Sequence, residues 1–281
     1  MNTRKQGLSV SVDENISYLI TKPDCLNNPA AINDLKSQLC HNNLEIVGEF
    51  TITLSRHEVT LCWPDYVRYP VTLHLLFQYI ADQPLGVYLL KGNDAINKTS
   101  EIKKIIRSRY AQHAFANCIH TPSNMEELLL QLKVIEPQMV MKMEYSMPIE
   151  PDSVVRDEAI IPGIWGGLAT ITGETFHEVI DSVWKSLANL SEFKEGVEIQ
   201  AGEEQVLLFN DDTNGIDYVA SCLIETFPDW TPERAIVTVL KVDQTGSACL
   251  YSGDKEKISD IIGKLNGLNL QVKAVRIQDM Q

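Results

Sequence analysis

Apolar positions in the first half of the chain alternate between a period near two and one near 3.6. Ile16-Ser17-Tyr18-Leu19-Ile20 is a short apolar run and predicts a strand. From Ala30 to Cys40, Ile32, Leu35 and Leu39 fall on one side of a helix. Leu44 to Leu54, rich in Ile, Val, Phe and Thr, predicts a second strand. Thr72–Ala81 and Ala95–Arg107 read as helices on either side of a strand at Gly86–Leu90. Ser123 with Glu126 has the spacing of a capping box, which would open a helix over Met125–Leu132. A βαββαβ-like order of this kind suits an antiparallel sheet covered by helices, a ferredoxin-like α+β arrangement.

Beyond residue 135 the pattern changes. Met139, Met141, Met143, Tyr145 and Met147 alternate with more polar neighbours and predict a half-buried strand, an adaptable Met-rich binding surface being the alternative. Pro148–Asp157 is acidic, carries two prolines and reads as a linker. Pro162–Gly167 is turn-rich; a phosphate-binding loop is the weaker alternative, since no lysine follows. Phe176, Val179, Ile180, Val183, Trp184 and Leu187 form one helical stripe that needs an apolar partner. The C-terminal part begins with a strand at Gln205–Phe209 and an acidic turn, Asn210-Asp211-Asp212. Helices follow at Ile216–Phe227 and from Thr231-Pro232, then a strand after Gly246, a helix at Lys255–Leu265 and a strand at Leu270–Ile277.

Composition narrows the function classes. The 281 residues are 44% hydrophobic and 22% charged, enough for two ordinary domains. No run is long enough to span a bilayer, and residues 1–13 read as a polar tail without an apolar signal core, so a cytoplasmic protein without membrane partners is expected. The six cysteines lack ligand-like spacing and are expected to be reduced thiols. A net charge of −14 argues against general nucleic-acid binding, but not against nucleotides, which need only a local positive pocket. Lys98, Lys103, Lys104, Arg107 and Arg109 are the one basic concentration; the alternative is a solvated helix face.

The segment Arg107–Asn124 places His120 three residues after Asn117, with Arg107 upstream, and Lys22-Pro23-Asp24 follows the first strand. A neutral imidazole is a competent nucleophile toward phosphorus, and Lys and Arg neutralise charge on the phosphate oxygens. With these residues in this order, residues 14–135 resemble the nucleoside diphosphate kinase family. Pro84–Gly92 resembles its central strand, and Ser123–Glu127 its acidic helix start. The resemblance implies a phosphohistidine at His120, with nucleotide held by Lys22, Arg107 and Asn117. Lys98 and Thr99 are the nearest substitutes for the family's other phosphate-binding residues. It also implies Mg²⁺ carried on the nucleotide phosphates rather than by protein ligands, and nucleoside di- and triphosphates as partners. Trp63 or Tyr66 would replace the tyrosine near the nucleotide, and Val71 the base-stacking phenylalanine. This chain departs from the family in its short stretch from Gly92 to Arg107, in Pro122, and in Gln131, where a glutamate usually orients the imidazole. A homo-oligomer is expected, a dimer rather than the family's frequent hexamer.

Residues 203–281 resemble the ClpS family, adaptors that present substrates to a AAA+ protease. The resemblance implies a small α/β domain with a protein-ligand pocket formed by Asn210, Asp211, Ile216, Val242 and Asp243. Asp243 stands where the family has histidine, and the plain alternative is that Asn210-Asp211-Asp212 is only a turn before a helix. Residues 136–202 connect the two parts. Two functions follow as expectations: phosphoryl transfer from a nucleoside triphosphate to a diphosphate, or a catalytically weak nucleotide-sensing adaptor that recruits a protein partner or protease substrate.

Overall fold

The computed structural model describes residues 15–144, 174–188, 190, 197, 204–211 and 213–276. The chain divides into two compact units, Met1–Val67 with Leu76–Arg156, and Arg68–Leu75 with Asp157–Gln281. No helix among the described residues is long and apolar enough to cross a membrane.

In the first unit, β1 (Ile16–Thr21) leads through two helices, α1 (Pro23–Leu26) and α2 (Pro29–His41), to β2 (Glu45–Thr53). Two more helices, α3 (Arg56–Cys62) and α4 (Pro70–Ile80), precede β3 (Pro84–Lys91); the part of α4 after Leu75 belongs to this unit. Helix α5 (Ala95–Tyr110), the short β4 (Ile119–His120) and α6 (Met125–Glu144) complete it. The sheet order is β2-β3-β1-β4 and every pairing is antiparallel, the ferredoxin-like arrangement. Strand β1 is central and buried at all six positions, which is why it reads as an apolar run rather than an alternation. Leu19 packs into one core with Leu35 and Leu39 of α2, Leu90 of β3, and Ile102 and Ile106 of α5. Gly86 is required where β3 crosses β1, because a Cβ there would lie 2.4 Å from Thr21 Oγ1.

Three details differ from the sequence expectations. Helix α3 was not predicted, although Ser55 and Glu58 cap it with both bonds of a capping box. Helix α6 starts one residue deeper in its cap than expected. Asn124 Oδ1 accepts from Glu127 N at 2.9 Å, and Ser123 N donates to Glu127 Oε2 at 2.7 Å, so Glu127 takes the place expected of Glu126. The alternating segment from Met139 to Glu144 is the end of α6, not a strand. Met, Lys and Glu are strong helix formers, and Pro137 leaves the helix continuous. The remainder of that segment, the acidic linker, the Pro162–Gly167 turn and the N-terminal tail lie outside the described residues.

The second unit contains α7 (Glu174–Leu187), β5 (Glu204–Phe209), α8 (Ile216–Thr226) and α9 (Pro232–Thr245). After them come β6 (Ser247–Gly253), α10 (Lys255–Gly267) and β7 (Val272–Arg276). Its antiparallel sheet has the order β6-β5-β7. The predicted stripe on α7 is buried at Phe176, Ile180, Val183 and Leu187, and α9 is among the helices it packs against. Ser182 Oγ donates to Glu233 Oε1 across that contact at 2.6 Å. Helix α9 is capped by Thr231, which accepts from Arg234 N, and ends at Gly246 with φ 87°, a left-handed C-cap that suits glycine. The segment Arg68–Leu75 joins this unit through Asp217. That fully buried carboxylate accepts from Val71 N (2.8 Å), Thr72 N (3.1 Å) and Thr72 Oγ1 (2.6 Å), capping the first turn of α4.

Candidate functional site

The end of β1 and the approach to β4 bring the predicted catalytic residues together. Lys22, directly after β1, donates its backbone N–H to Cys118 O at 2.8 Å. Cys118 holds φ at 67° between Asn117 and Ile119, and its N–H donates to Asp24 Oδ2 at 2.9 Å. Tyr79 donates its hydroxyl to the other oxygen of Asp24. These bonds clamp the Lys22-Pro23-Asp24 turn against the Asn117–His120 segment.

Lys22 is 6% exposed and its Nζ donates to Asn117 Oδ1 at 2.6 Å. The other end of the Asn117 amide donates to Ala114 O at 2.5 Å. Asn117, expected to help hold nucleotide, thus positions Lys22 in the protein alone. Burial, with the charge of Arg107, lowers the Lys22 pKa to about 7. Arg107 gives Nε and Nη2 to Ile119 O at 3.1 and 2.9 Å, and Lys103 gives Nζ to Thr121 O at 3.3 Å. The two lie four residues apart on α5, one helical turn, so both point at the strand that carries His120.

His120 is 8% exposed, and Trp63 meets its ring edge-on at 5.1 Å between centroids. Burial lowers its pKa to about 3 against the support of Gln131, and the charges of Lys22, Lys103 and Arg107 act in the same direction as burial. The imidazole is neutral through the physiological range. Its Nε2 lies 2.9 Å from Gln131 Oε1 and 3.5 Å from Glu127 Oε1. Among the described residues, Nδ1 has no hydrogen-bond partner.

Of the remaining predicted nucleotide-binding residues, Thr99 is misplaced for that role. It is fully buried, shares a hydrogen bond with Ser17 Oγ at 3.0 Å and donates to Ile96 O at 2.9 Å, so it fills the interior between α5 and β1. Lys98 lies nine residues before Arg107 on α5, about 180° round the helix, and so outside the cluster. Val71 is buried, with its amide on Asp217, and offers no face for a base. Trp63 and Tyr66 both stand near the cluster, Tyr66 close enough to Arg107 and Glu127 for their charges to act on its phenol. Lys103, Glu127 and Tyr18 join the site without having been predicted for it. The four-residue spacing of Lys103 and Arg107 was a signal for the first. No group of three His, Cys, Asp or Glu side chains placed to hold a metal ion occurs among the described residues.

In the second unit, Asn210, Asp211, Ile216, Val242 and Asp243 line one small pocket of about 60 Å³, with Leu208, Val219 and Val239 in its apolar wall. Asp211 Oδ1 accepts from Thr213 N and Asn214 N, both at 2.8 Å, and Asn214 Nδ2 reaches both carboxylate oxygens. Burial alone would raise the Asp211 pKa; these donors outweigh it and hold it below the ordinary value. Asp211 is thus both a turn residue and a pocket residue. Burial raises the Asp243 pKa, partly offset by a hydrogen bond with Asn210. The pocket combines aliphatic side chains with two carboxylates and two amides, those of Asn210 and Asn214.

Residues 202–272 match the family of the ATP-dependent Clp protease adaptor protein ClpS. No curated protein sequence matches the chain. Among solved structures, nucleoside diphosphate kinase from Aquifex aeolicus is 17% identical, with 43% of this chain and 94% of that one covered at a TM-score of 0.37. The nucleoside diphosphate kinase of Borrelia burgdorferi, with bound vanadate and ADP, is 15% identical over 43% and 85% of the two chains, TM-score 0.36. That of Pyrobaculum aerophilum is 17% identical over 43% and 94%, TM-score 0.36. Similarity at this level says nothing of activity.

Proposed function

We propose that the first unit transfers a phosphoryl group from a nucleoside triphosphate to a nucleoside diphosphate through His120. The observation that carries this reading is a neutral imidazole with Nδ1 unengaged, ringed by Lys22, Lys103 and Arg107. Nδ1 attacks the terminal phosphorus, the P–O bond to the diphosphate breaks, and its electron pair leaves with the nucleoside diphosphate. The ring, which keeps its Nε2 proton, becomes a cationic phosphoimidazolium. Reversal with a second diphosphate restores the neutral imidazole. Lys22, Lys103 and Arg107 compensate the charge on the phosphate oxygens, where such groups act most strongly in a dry site. Asp24 is held by Tyr79 and the Cys118 amide, so Mg²⁺ is proposed to arrive with the nucleotide, where it would supply charge neutralisation. Because the ring is 8% exposed, a phosphate reaches it only as neighbouring side chains such as Trp63 give way. The test is incubation with γ-³²P-ATP: acid-labile label on the wild type and none on His120→Ala is expected. No label on the wild type, or equal label on both, defeats the reading.

A second reading is favoured by the C-terminal pocket and by the burial of His120. Here the chain binds nucleotide without turnover and captures a protein ligand through Asn210, Asp211 and Asp243. An ammonium group there would meet carboxylate and amide acceptors, with an aliphatic group against the apolar side chains. Nucleotide binding without label, together with a peptide ligand lost in Asp211→Ala and in Asp243→Asn, would establish it.

A further inference from the structure

The three cationic side chains around His120 are held by groups that do not neutralise them. Lys22 Nζ donates to one oxygen, the uncharged amide Oδ1 of Asn117 at 2.6 Å, and lies 5.2 Å over the centre of the Tyr79 ring. Arg107 and Lys103 donate to backbone carbonyls, those of Ile119 and Thr121. Asp24 follows Lys22 by two residues, but its oxygens are taken by the Tyr79 hydroxyl and the Cys118 amide. Among the described residues, none of the three cations is ion-paired with a carboxylate. At 6% exposure, burial and then the charge of Arg107 disfavour an ammonium at Lys22 and bring its pKa to about 7. At pH 7.5 about three-quarters of the Lys22 amine is neutral, against about a thousandth of an exposed lysine's. A neutral amine is a nucleophile, and this cluster would stabilise a negative charge placed on it.

We propose that Lys22 is a site of reversible carbamate formation with carbon dioxide, Lys103 and Arg107 serving as counter-ions of the product. The amine lone pair attacks the carbon of CO₂, an N–C bond forms, and one C=O electron pair moves to oxygen. A proton leaves the nitrogen for solvent, so neutral lysine and CO₂ become a carbamate anion and H⁺, with nothing oxidised or reduced. The carbamate nitrogen keeps one hydrogen, which can go on donating to Asn117 Oδ1. Lys103 and Arg107 each have N–H groups beyond those given to Thr121 O and Ile119 O, and these can meet the new carboxylate oxygens. Carbon dioxide is small and uncharged, so it enters a 6% exposed site more readily than a hydrated anion does. Modification sets a carboxylate where phosphate oxygens would otherwise meet these cations. It would oppose the phosphoryl transfer proposed above, and that consequence alone rests on that reading.

The test incubates the full chain at pH 7.5 with ¹³C-bicarbonate in equilibrium with dissolved CO₂. Carbamates are then trapped by alkylation with a trialkyloxonium salt and located by peptide mass spectrometry. Lys22 should carry trapped label at an occupancy at least about tenfold above that of exposed lysines such as Lys255 and Lys264. Lys22→Arg should lose it, because a guanidinium offers no neutral amine. Lys103→Gln, a milder change at a half-buried position, removes a counter-ion and favours the Lys22 ammonium, so the labelled fraction should fall severalfold. Label on Lys22 no higher than on exposed lysines, or undiminished in Lys103→Gln, overturns the proposal. The wild-type comparison needs no variant, so misfolding of either one leaves the test intact. Trapped ¹³C at Lys22 in a chain that never takes ³²P label would refute phosphoryl transfer and leave the carbamate standing. Acid-labile ³²P on His120 with no trapped ¹³C at Lys22 would do the reverse.

Discussion

Lys22 should set the alkaline limit of phosphoryl transfer. An ordinary lysine titrates near 10.5, but burial and the charge of Arg107 bring Lys22 to about 7, with Asp24 and Cys118 opposing the fall. Its amine carries the charge that meets a phosphate only while protonated. In the ligand-free protein, raising the pH one unit above that value leaves about nine-tenths of Lys22 neutral, and kcat/KM should fall about tenfold for each further unit. Bound phosphate favours the charged lysine, so the decline in kcat should begin at higher pH than the decline in kcat/KM. The acid side should show no matching break from the imidazole, because His120 is neutral down to about 3. The perturbation is Lys22→Arg, which keeps the charge across the range but replaces a point ammonium with a planar fork at a 6% exposed site. Its plateau should drop about ten- to a hundredfold through loss of the Asn117 geometry, while the alkaline decline moves out of the measurable range. The assay is the initial rate of ³²P-phosphohistidine formation at subsaturating ATP from pH 5 to 10. A decline centred above pH 9 in the wild type, or one unmoved by Lys22→Arg, would refute the assignment.

Other consequences can be measured separately. Glu127→Gln should slow phosphohistidine formation about tenfold through loss of the charge facing the phosphoimidazolium, while ³¹P-detected nucleotide binding is unchanged; equal rates would dismiss the role. Stability should fall in acid because of His120: between pH 6.5 and about 3 the unfolded chain takes up a proton that the folded chain refuses. That contributes a loss of about 1.4 kcal/mol per pH unit, and urea titrations of His120→Asn should lack this component, giving a shallower slope than the wild type. Asp217→Ala should cost about 2–4 kcal/mol, because the buried Val71 amide, the half-buried Thr72 amide and the Thr72 hydroxyl lose a common acceptor. Asp217→Asn should cost less, and hydrogen exchange at Val71 and Thr72 reports the change directly.

Sequence order revealed the strands and helices wherever one period dominated. The β1 run is buried on both faces, and the α2 and α7 stripes are each a single helical face repeated. The Met-rich end of α6 was misread because its alternation satisfied a strand template while its residue types favoured helix, and continuity with the helix before it decided the outcome. At the site, His120, Lys22, Arg107 and Asn117 were legible through the family resemblance; β1 and β4 bring the segments of Lys22, Asn117 and His120 side by side, and Arg107 reaches them from α5. Lys98 and Thr99 were the nearest substitutes for phosphate-binding residues that the family resemblance lacks here, and the helical phase of α5 turns Thr99 inward and Lys98 away. Tyr18 and Cys62 O, which hydrogen-bond the two ends of the Gln131 amide, could not have been found that way. One is an aromatic inside an apolar strand, the other a backbone carbonyl, and neither carries a pattern of its own.

The charge distribution explains why such a site can exist in a chain of net charge −14. A long-range field from the acidic surface would repel nucleotides, but charges farther apart than about 8 Å are largely screened at physiological salt. On the proposed function, an arriving phosphate would meet Lys22, Lys103 and Arg107, each pressed by burial toward its uncharged form. Two nearby carboxylates are Asp24 and Glu127, and both are held by protein donors. The cluster is therefore short of negative charge in a partly desolvated place. An anion with several oxygens would relieve that shortage, and the same relief would return Lys22 to its charged form as the phosphoryl group is bound.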